Sequence, residues 1–244
     1  MHSFIIIPAY NEEKNLSKIL DKLRLLKKTS PLTPIVVDDG SADKTSEIAK
    51  KFRKKLGLKL IVHKPNKGIP QTFYDGLEAA SKMARDEDAI FIIEGDNTSD
   101  LNLILPMLQK IKSGKDIIVA SRYLKCGGYK NFPLHRKLGS NLVNIVLKMF
   151  FYQKNITDYT IFYRAYSARC VKKAFQKYKD KLITTKSFAA NLEILIKFGE
   201  FSRGNAEFPF VYDYGLKRGK SKMKLFKTLF EYKDLILKKL FGKG

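Results

Sequence analysis

Cysteine, histidine and tryptophan are scarce in this sequence, and their scarcity narrows the chemistry open to it. The 244 residues include two cysteines, three histidines and no tryptophan. Cys126 and Cys170 lie far apart in the chain, and neither has a histidine at metal-ligand spacing. This pattern argues against a disulfide scaffold or a zinc site, so free thiols in a reducing cytoplasm are expected.

Long apolar runs are also missing. The longest apolar-rich stretch, residues 142–152, is too short to span a bilayer and contains Asn144 and Lys148. The sequence opens without the basic region, apolar core and small-residue cleavage site of a secretory leader. We therefore expect a protein that is not integral to a membrane but that can lie on a membrane surface.

Acidic residues are few relative to basic ones. The chain has 24 Asp and Glu against 47 Lys and Arg, a formal net charge of +23. Such an excess favours a polyanionic partner, which can be nucleic acid, an anionic membrane or a phosphate-rich substrate. No zinc-finger spacing or RNA-recognition signature accompanies the lysines, which are spread along the whole chain. We therefore expect no nucleic acid among the partners.

Short apolar runs alternate with helical patterns through the first half of the chain. The composition, 44% hydrophobic and 29% charged, is that of a globular protein with one α/β domain or a domain and an appendage. Apolar strands separated by amphipathic helices predict a mostly parallel sheet covered on both faces. The predicted strands are 4–9, 34–39, 58–63, 89–94 and 116–121, and the predicted helices are 12–26, 44–52, 70–83 and 101–111.

Polar residues follow the carboxyl ends of these strands, where ligands bind in sheets of this kind. Asp39, in VVDDGS, either accepts hydrogen bonds from a nucleobase or ribose or belongs to an ordinary turn. In PAYNEE, Tyr10 offers a ring for stacking on a base, and Glu12 either contacts a ribose or lies in the first turn of a helix. The triplet Glu94-Gly95-Asp96 is either a polar strand exit or a pair of oxygen ligands for a divalent metal.

The second half is more basic and ends in an amphipathic tail. Residues 134–153 predict a helix with a basic start and an apolar middle, and 187–201 predicts a further helix. Strands are predicted at 160–167 and 204–214. From Lys222 onward apolar residues interleave with lysines, a pattern typical of a helix at a membrane interface. The alternative is that the 134–153 helix and the tail pack on the core or on another subunit.

Taken in order, these motifs resemble those of the family 2 glycosyltransferases, which have the GT-A fold. The matching segments are PAYNE, VVDDGS, NKG at 66–68, the acidic triplet at 94–96 and SRY at 121–123. Later segments are similar to the branch that includes dolichol-phosphate mannose synthase and bacterial polyprenyl-phosphate glycosyltransferases: SRYLKCGG, HRKLGSN, DYTIFYRAYS, NLE and RGKSKM. The resemblance covers residues 3–223 and implies a GT-A sheet of the α/β class, to which basic amphipathic interface helices are added.

The resemblance also implies roles for individual residues. Those implied to hold the donor nucleotide are Pro8, Tyr10, Glu12, Val37, Asp39, Lys67 and Gly68. Those implied to hold the acceptor phosphate are Arg122, Arg136, Ser140, Arg218, Ser221 and Lys222. The implied metal ligands are Asp96, Glu94 and Thr98, and the implied catalytic residues are Asp96, Glu94 and Arg122. Mg²⁺ or Mn²⁺ suits such oxygen ligands.

The implied reaction moves a sugar, with inversion, from a GDP-mannose or UDP-hexose type of donor to a polyprenyl or dolichyl phosphate. The alternative acceptor is a carbohydrate hydroxyl in polysaccharide or glycolipid synthesis. A lipid phosphate has a second pKa near ~6 and is already anionic at neutral pH, so no dedicated base is needed. If one is used, an acidic residue of the second half, such as Asp158, is a candidate.

The implied location is peripheral, on the cytoplasmic face of a membrane, and a small membrane-anchor subunit or a homo-oligomer stays open. We divide the chain into a glycosyltransferase domain, residues 1–221, and a basic amphipathic helix, residues 222–244. The nucleotide-sugar half of the domain is 1–125 and the acceptor half is 126–221.

Two residues depart from the family pattern. Glu94 stands where the family usually has the first aspartate of Asp-x-Asp, and Leu216 stands where the late motif often has an arginine. We expect Lys217 or Arg218 to supply the missing charge.

Overall fold

A seven-stranded sheet runs through the protein, whose computed structural model describes residues 1–218 and 225–242. The strands are β1 (Ser3–Ala9), β2 (Leu32–Asp38), β3 (Lys59–Val62), β4 (Ala89–Ile92), β5 (Ile117–Ser121), β6 (Gly128–Lys130), β7 (Arg164–Ser167), β8 (Asn205–Pro209) and β9 (Val211–Asp213). The helices are α1 (Glu13–Leu26), α2 (Thr45–Leu56), α3 (Ile69–Met83), α4 (Ile104–Lys112), α5 (Leu134–Phe150), α6 (Ala168–Tyr178), α7 (Ala190–Gly199) and α8 (Leu225–Phe241). Short 3₁₀ segments are found at Leu101–Leu103, Lys179–Leu182 and Tyr214–Leu216.

The strand order across the large sheet is β3-β2-β1-β4-β7-β5-β8. β1 pairs in parallel with β2 and β4, β2 pairs in parallel with β3, and β5 with β8. β7 alone runs antiparallel to its neighbours, β4 and β5. β6 and β9 form a separate parallel pair. The predicted fold class, an α/β protein with a mostly parallel sheet flanked by helices, is therefore confirmed.

The central strands are rich in β-branched residues, which fit a pleated surface that is buried on both faces. The side chains of Ile5, Ile6 and Ile7 in β1 are fully buried. Helix α1 covers the sheet with the apolar row that its 3.6-residue period predicts, namely Leu16, Ile19, Leu20 and Leu23. Since full burial of one such side chain stabilises the fold by about 1.5–3 kcal/mol, this row holds α1 firmly on the sheet.

Two predicted strands differ from the structure. The stretch predicted at 160–167 is a strand only at Arg164–Ser167, because Asp158 Oδ1 accepts the N–H groups of Thr160 and Ile161 and holds that backbone in a turn. The stretch predicted at 204–214 divides into β8 and β9 after Pro209, which has no N–H to continue a ladder. Helix α6 and strand β6 lie where no element is predicted.

Helix α5 confirms the helix predicted at 134–153, α7 the one predicted at 187–201, and α8 forms most of the predicted tail helix. Both α5 and α8 present apolar side chains to the outside. The exposed fractions along α5 are 68%, 61%, 64%, 58% and 74% for Leu134, Leu138, Leu142, Ile145 and Met149. On α8, Tyr232 is buried against the body of the protein, whereas Phe226, Phe230 and Phe241 are exposed. Among the described residues, no helix combines the length and the apolar character that a membrane span requires.

Candidate active site

The carboxyl ends of β1, β2 and β4 meet at one edge of the sheet because these strands are parallel neighbours. Gly95 shows how closely they pack, since a Cβ atom at this position would lie 2.3 Å from the carbonyl oxygen of Pro8. A backbone atom cannot move aside at low cost, so glycine is required here. It allows Glu94 and Asp96 to lie directly against the exit of β1, where the nucleotide-binding residues are predicted.

Tyr10 and Glu12 lie on the turn that leaves β1, and this turn is fastened to the exit of β2. The N–H of Asn11 donates to Ser41 Oγ at 2.9 Å, and the Asn11 side-chain oxygen accepts the N–H of Ala42 at 2.9 Å. The Tyr10 side chain is 39% exposed, so its ring can present a face to a ligand at this edge. Two of the predicted donor-binding residues are thus placed together, on a turn that the neighbouring strand supports.

Asp39 organises the loop after β3, a role that the sequence does not reveal. Its carboxylate accepts the N–H groups of Lys67 and Gly68 at 2.8 and 2.9 Å and lies 2.7 Å from His63 Nδ1. The other ring nitrogen of His63 lies 2.8 Å from Asp75 Oδ2. Buried His63 therefore joins two carboxylates, and its place just after a strand is the only sequence signal for it. Three predicted donor-binding residues, Asp39, Lys67 and Gly68, lie together.

Val37 is placed differently from the other predicted donor-binding residues. Its side chain is fully buried within β2, so it supports the sheet and does not line the edge. Gly40, three residues on, has φ +74°, and a Cβ atom there would lie 2.9 Å from the backbone nitrogen of Asn66. The glycine lets the β2 exit and the loop after β3 pack against each other.

Glu94, Asp96 and Thr98, the predicted metal ligands, lie together after β4. Asp96 is 7% exposed, and its Oδ1 accepts hydrogen bonds from the Thr98 N–H at 3.2 Å and the Thr98 hydroxyl at 2.5 Å. The Ser99 hydroxyl donates to Glu94 Oε2 at 2.5 Å and accepts from the Glu94 N–H at 3.0 Å. Short-range hydrogen bonds within one turn therefore fix the positions of both carboxylates.

Burial raises the pKa of Glu94 to about 7, and the negative charge of Asp96 acts in the same direction. The hydrogen bond from Ser99 and the positive charges of Arg122 and Lys217 oppose this rise. A carboxyl group with such a pKa changes its charge near neutral pH. A cation that arrives beside it favours the ionised form.

The ammonium group of Lys217 contacts the carboxylate of Asp96, and the sequence does not predict this contact. The Lys217 Nζ is 2.7 Å from Asp96 Oδ2, and the two side chains are 16% and 10% exposed. The carbonyl of the next residue, Arg218, accepts a hydrogen bond from Asn15 Nδ2 at 3.1 Å. We call residues 94–99 the acidic turn. Residues 217–218 connect this turn with helix α1, and we call them the strap.

The acidic turn offers oxygen atoms of the kind that bind a divalent metal ion. Carboxylate and hydroxyl oxygens are the ligands that Mg²⁺ and Mn²⁺ prefer. The ammonium group of Lys217 already takes the place of a cation on Asp96 Oδ2. Within residues 1–218 and 225–242, no group of three or more His, Cys, Asp or Glu side chains is placed to hold a metal. Other ligands would therefore come from donor phosphates or water, as is common for Mg²⁺.

Arg122 is buried and forms an ion pair with Asp158. Its Nε and Nη2 donate to the two carboxylate oxygens of Asp158 at 2.7 Å each, and Nη2 also donates to Thr160 Oγ1 at 2.6 Å. Burial by itself would raise the pKa of Asp158, but the charge and hydrogen bonds of Arg122 hold the pKa below its usual value. A carboxylate that is ionised and paired in this way is a poor general base. Asp158 is better described as the partner that positions Arg122.

Tyr129 joins Arg122 to Ser140, two residues predicted to contact the acceptor phosphate. The guanidinium carbon of Arg122 lies 5.1 Å from the centre of the Tyr129 ring, a cation–π distance. The Tyr129 hydroxyl donates to Ser140 Oγ at 3.1 Å. The structure therefore brings these two predicted residues around a tyrosine that the motifs do not identify.

Arg136 is connected to the same region through aromatic side chains. Its Nη1 donates to the Tyr214 hydroxyl at 3.2 Å. Phe132 lies at the centre of this aromatic cluster, with ring centres 4.9, 5.7 and 5.4 Å from those of Tyr129, Tyr212 and Tyr214. The side chain of Arg218 is exposed. Ser221 and Lys222 lie outside the described residues.

A mostly parallel sheet of this order, with two carboxylates beyond β4, agrees with the GT-A glycosyltransferase fold that the sequence motifs predict. The sequence model of glycosyl transferase family 2 matches residues 4–175. The chain belongs to this family.

Relatives and solved structures agree with this assignment. A Pyrococcus furiosus protein named dolichol-phosphate mannosyltransferase is 31% identical over 230 residues, which cover 93% of this chain and 60% of that protein. A Methanococcus voltae protein named UDP-N-acetylglucosamine–dolichyl-phosphate N-acetylglucosaminyltransferase is 28% identical over 257 residues, covering 96% of this chain and 95% of that protein. This chain thus spans 60% of the length of the Pyrococcus relative.

The fold is shared with glucosyl-3-phosphoglycerate synthase from Mycobacterium tuberculosis, solved with Mn²⁺, UDP and phosphoglyceric acid. The two structures superpose with a TM-score of 0.68 at 15% identity, over 100% of this chain and 80% of that chain. At this identity the likeness concerns the fold alone.

Proposed function

We propose that this protein transfers a sugar from a nucleotide-sugar donor to a polyprenyl or dolichyl phosphate, with inversion at the anomeric carbon. The names of both relatives contain a dolichyl phosphate, but one names a mannosyl and the other an N-acetylglucosaminyl transfer. The donor is therefore proposed only as a class, GDP-mannose or a UDP-hexose. The observation that carries the proposal is the construction of helix α5.

Helix α5 combines phosphate-binding chemistry with an exposed apolar surface. Arg136 and Ser140, near its start, lie beside the aromatic cluster and Arg122. The same helix carries an exposed apolar row, which we call the α5 row: Leu134, Leu138, Leu142, Ile145 and Met149. A lipid phosphate has a head and a tail that match these two parts, since arginine binds phosphate oxygens bidentately and the tail favours apolar contact. A carbohydrate hydroxyl would use neither part.

Helix α8 extends the apolar surface and adds positive charge. Exposed Phe226 and Phe230, about one helical turn apart, share one side of this helix with Lys233, whose Nζ lies 5.6 Å from the centre of the Phe230 ring. Lys and Arg near an anionic membrane surface contribute on the order of 1 kcal/mol each. We propose that α5 and α8 rest together on the membrane that contains the lipid acceptor, on its cytoplasmic face.

The chemistry requires that the donor, the acceptor and the leaving diphosphate be held in line. Tyr10 and Glu12 are proposed to hold the nucleotide, and Asp39 acts by fixing the loop that carries Lys67 and Gly68. The anionic phosphate of the acceptor attacks the anomeric carbon without a base, so catalysis consists of positioning and charge stabilisation. Arg122, fixed by Asp158, is proposed to direct its remaining N–H groups to the acceptor phosphate.

Asp96 and Glu94, together with the Thr98 hydroxyl, are proposed to hold Mg²⁺ or Mn²⁺. A divalent ion bound there would neutralise the charge that develops on the leaving diphosphate. The role of the chain is to keep the two carboxylates in place, which the hydrogen bonds from Thr98 and Ser99 do.

A panel of radiolabelled GDP- and UDP-sugars tests the proposed donor class. The purified protein is incubated with each donor, Mn²⁺ and polyprenyl phosphate in detergent, and the lipid fraction is counted. We expect one donor, or a few related donors, to label the lipid fraction. Absence of lipid label across the whole panel would overturn the proposed function, whereas label on an added oligosaccharide would favour the hydroxyl acceptor.

A further inference from the structure

Lys217 forms an ion pair with Asp96, the residue proposed as the principal metal ligand. Both side chains are largely buried, and Nζ lies 2.7 Å from Oδ2. The other oxygen of Asp96 already accepts two hydrogen bonds from Thr98. Oδ2 is therefore the oxygen through which Asp96 would bind a metal ion, and the ammonium group covers it.

An ammonium group and a divalent cation compete for one carboxylate oxygen, because their charges repel at such distances. We therefore expect the metal to displace Lys217. The displaced ammonium remains beside the acidic turn, since the strap is also held through the Arg218 carbonyl by Asn15. The leaving diphosphate is the anion expected at this place, and lysine binds phosphate as a point charge.

We propose that Lys217 is a built-in counter-ion of Asp96, which the divalent metal displaces and which then binds the diphosphate of the donor. The inference rests on the proposed function, because it takes Asp96 as a metal ligand. It adds a residue to the donor site and a reason for the Lys217 side chain to change position when metal and donor bind. In the absence of metal, Lys217 neutralises the charge of an almost buried carboxylate.

Lys22, on helix α1, provides a matched control that contacts the same turn. Its Nζ donates to the side-chain oxygen of Asn97, the neighbour of Asp96, at 3.2 Å. Lys22→Met and Lys217→Met each remove one positive charge close to the acidic turn. Only Lys217→Met removes the ammonium group from the oxygen of Asp96. Lys217→Arg retains a charge at that position.

Mn²⁺ binding to the protein without nucleotide or lipid tests the displacement, measured by isothermal titration and by the electron paramagnetic resonance signal of free Mn²⁺. We expect Lys217→Met to bind Mn²⁺ at least fivefold more tightly than wild type, and Lys22→Met and Lys217→Arg to differ from wild type by less than twofold. Equal affinity in Lys217→Met and wild type would overturn the proposal. An equal gain in Lys22→Met would also overturn it, because the effect would then be one of general charge.

Binding of UDP and GDP in saturating Mn²⁺ tests the second half of the proposal. We expect Lys217→Met to lose at least threefold in affinity for the nucleotide diphosphate it binds, and Lys22→Met to lose less than twofold. Unchanged affinity in Lys217→Met would show that Lys217 does not reach the diphosphate. Circular dichroism and thermal unfolding check that each variant folds. Since neither titration requires sugar transfer, failure here is distinguishable from failure of the proposed reaction.

Discussion

Asp96 and Glu94 differ in environment although a single glycine separates them. Asp96 is paired with the ammonium group of Lys217, whereas Glu94 has a hydroxyl partner, Ser99, and a pKa raised by burial to about 7. The residue with a cation beside it is the better candidate for the principal metal ligand. Glu94, one methylene longer, is suited to a contact through water or to the sugar itself.

Alanine substitutions at these two positions are expected to have unequal effects. Asp96→Ala should lower kcat/KM by at least about 100-fold, because it removes the main proposed metal ligand. Glu94→Ala should lower it by about tenfold. The measurement is sugar transfer at saturating Mn²⁺, with thermal unfolding as the control for folding. Wild-type turnover in Asp96→Ala would return the acidic turn to the simpler interpretation of a polar strand exit.

The raised pKa of Glu94 also predicts a pH dependence of stability. In the folded state the carboxyl group binds its proton more tightly than in the unfolded chain, where its ordinary pKa is 4.5. The stabilising effect of the neutral form is complete below pH ~4.5 and is lost as the pH rises through about 7.

Wild type should therefore lose stability relative to Glu94→Gln between pH 5 and pH 8, by about 1–3 kcal/mol. Urea unfolding of both proteins in EDTA at these two pH values measures the difference. A stability difference that is the same at both pH values would contradict the raised pKa.

At the scale of elements, helix α5 is fastened at one side to the turn at residues 157–159 and is open at the other. Asn144 donates to the Thr157 carbonyl and accepts the N–H of Tyr159 at 2.7 Å. Glu207 on β8 accepts the N–H groups of Thr157 and Asp158 at 2.8 and 2.9 Å. The turn that carries Asp158, and through it Arg122, is therefore held by α5 and β8 together. The outer side of α5 is left to the exposed α5 row.

Leu142→Gln, in the middle of the α5 row, is expected to weaken membrane binding without affecting the fold. Leu142 is 64% exposed, so the free energy of unfolding should change by less than about 0.5 kcal/mol. Sedimentation with liposomes should recover a smaller fraction of Leu142→Gln than of wild type. Leu25→Gln is the matched control, because Leu25 is 56% exposed on helix α1. Equal losses in both variants would argue against α5 as the membrane-binding surface.

Much of this architecture can be predicted from local sequence patterns, and the rest depends on contacts between distant residues. Apolar periodicity locates β1 to β5 and most helices, because the pattern within one element reports which face is buried. The insertion of antiparallel β7 between β4 and β5 depends on pairing between distant strands, which no local pattern encodes.

The candidate active site is also predictable in part from local motifs and depends in part on contacts between distant residues. The motifs place Asp39 and Asp96 at strand ends, where the structure has them. Their partners come from elsewhere in the chain, since Asp158 is 36 residues from Arg122 and Lys217 is 121 residues from Asp96. Neither partner can be identified from residue type alone, because lysine is abundant in this chain and an isolated aspartate has many possible roles.

At the scale of the whole molecule, the net charge of +23 predicts how the protein meets a membrane. It should sediment with liposomes that contain anionic lipid and not with neutral liposomes, because surface electrostatics supply a large part of the attraction. Raising the salt concentration from 0.1 M to 1 M, which shortens the screening length from about 10 Å to about 3 Å, should release it. Equal recovery in the supernatant with and without anionic liposomes would contradict this expectation.

The lipid acceptor itself is tested most directly by comparing polyprenyl phosphate with the corresponding polyprenol, which has the same chain and no phosphate. With the donor identified from the panel and with Mn²⁺ present, the proposed function predicts transfer to polyprenyl phosphate only. The product should release its sugar in mild acid, as a glycosyl phosphate does, and Asp96→Ala should not form it. Transfer to polyprenol at a similar rate, or to a soluble sugar and not to polyprenyl phosphate, would contradict the proposed function.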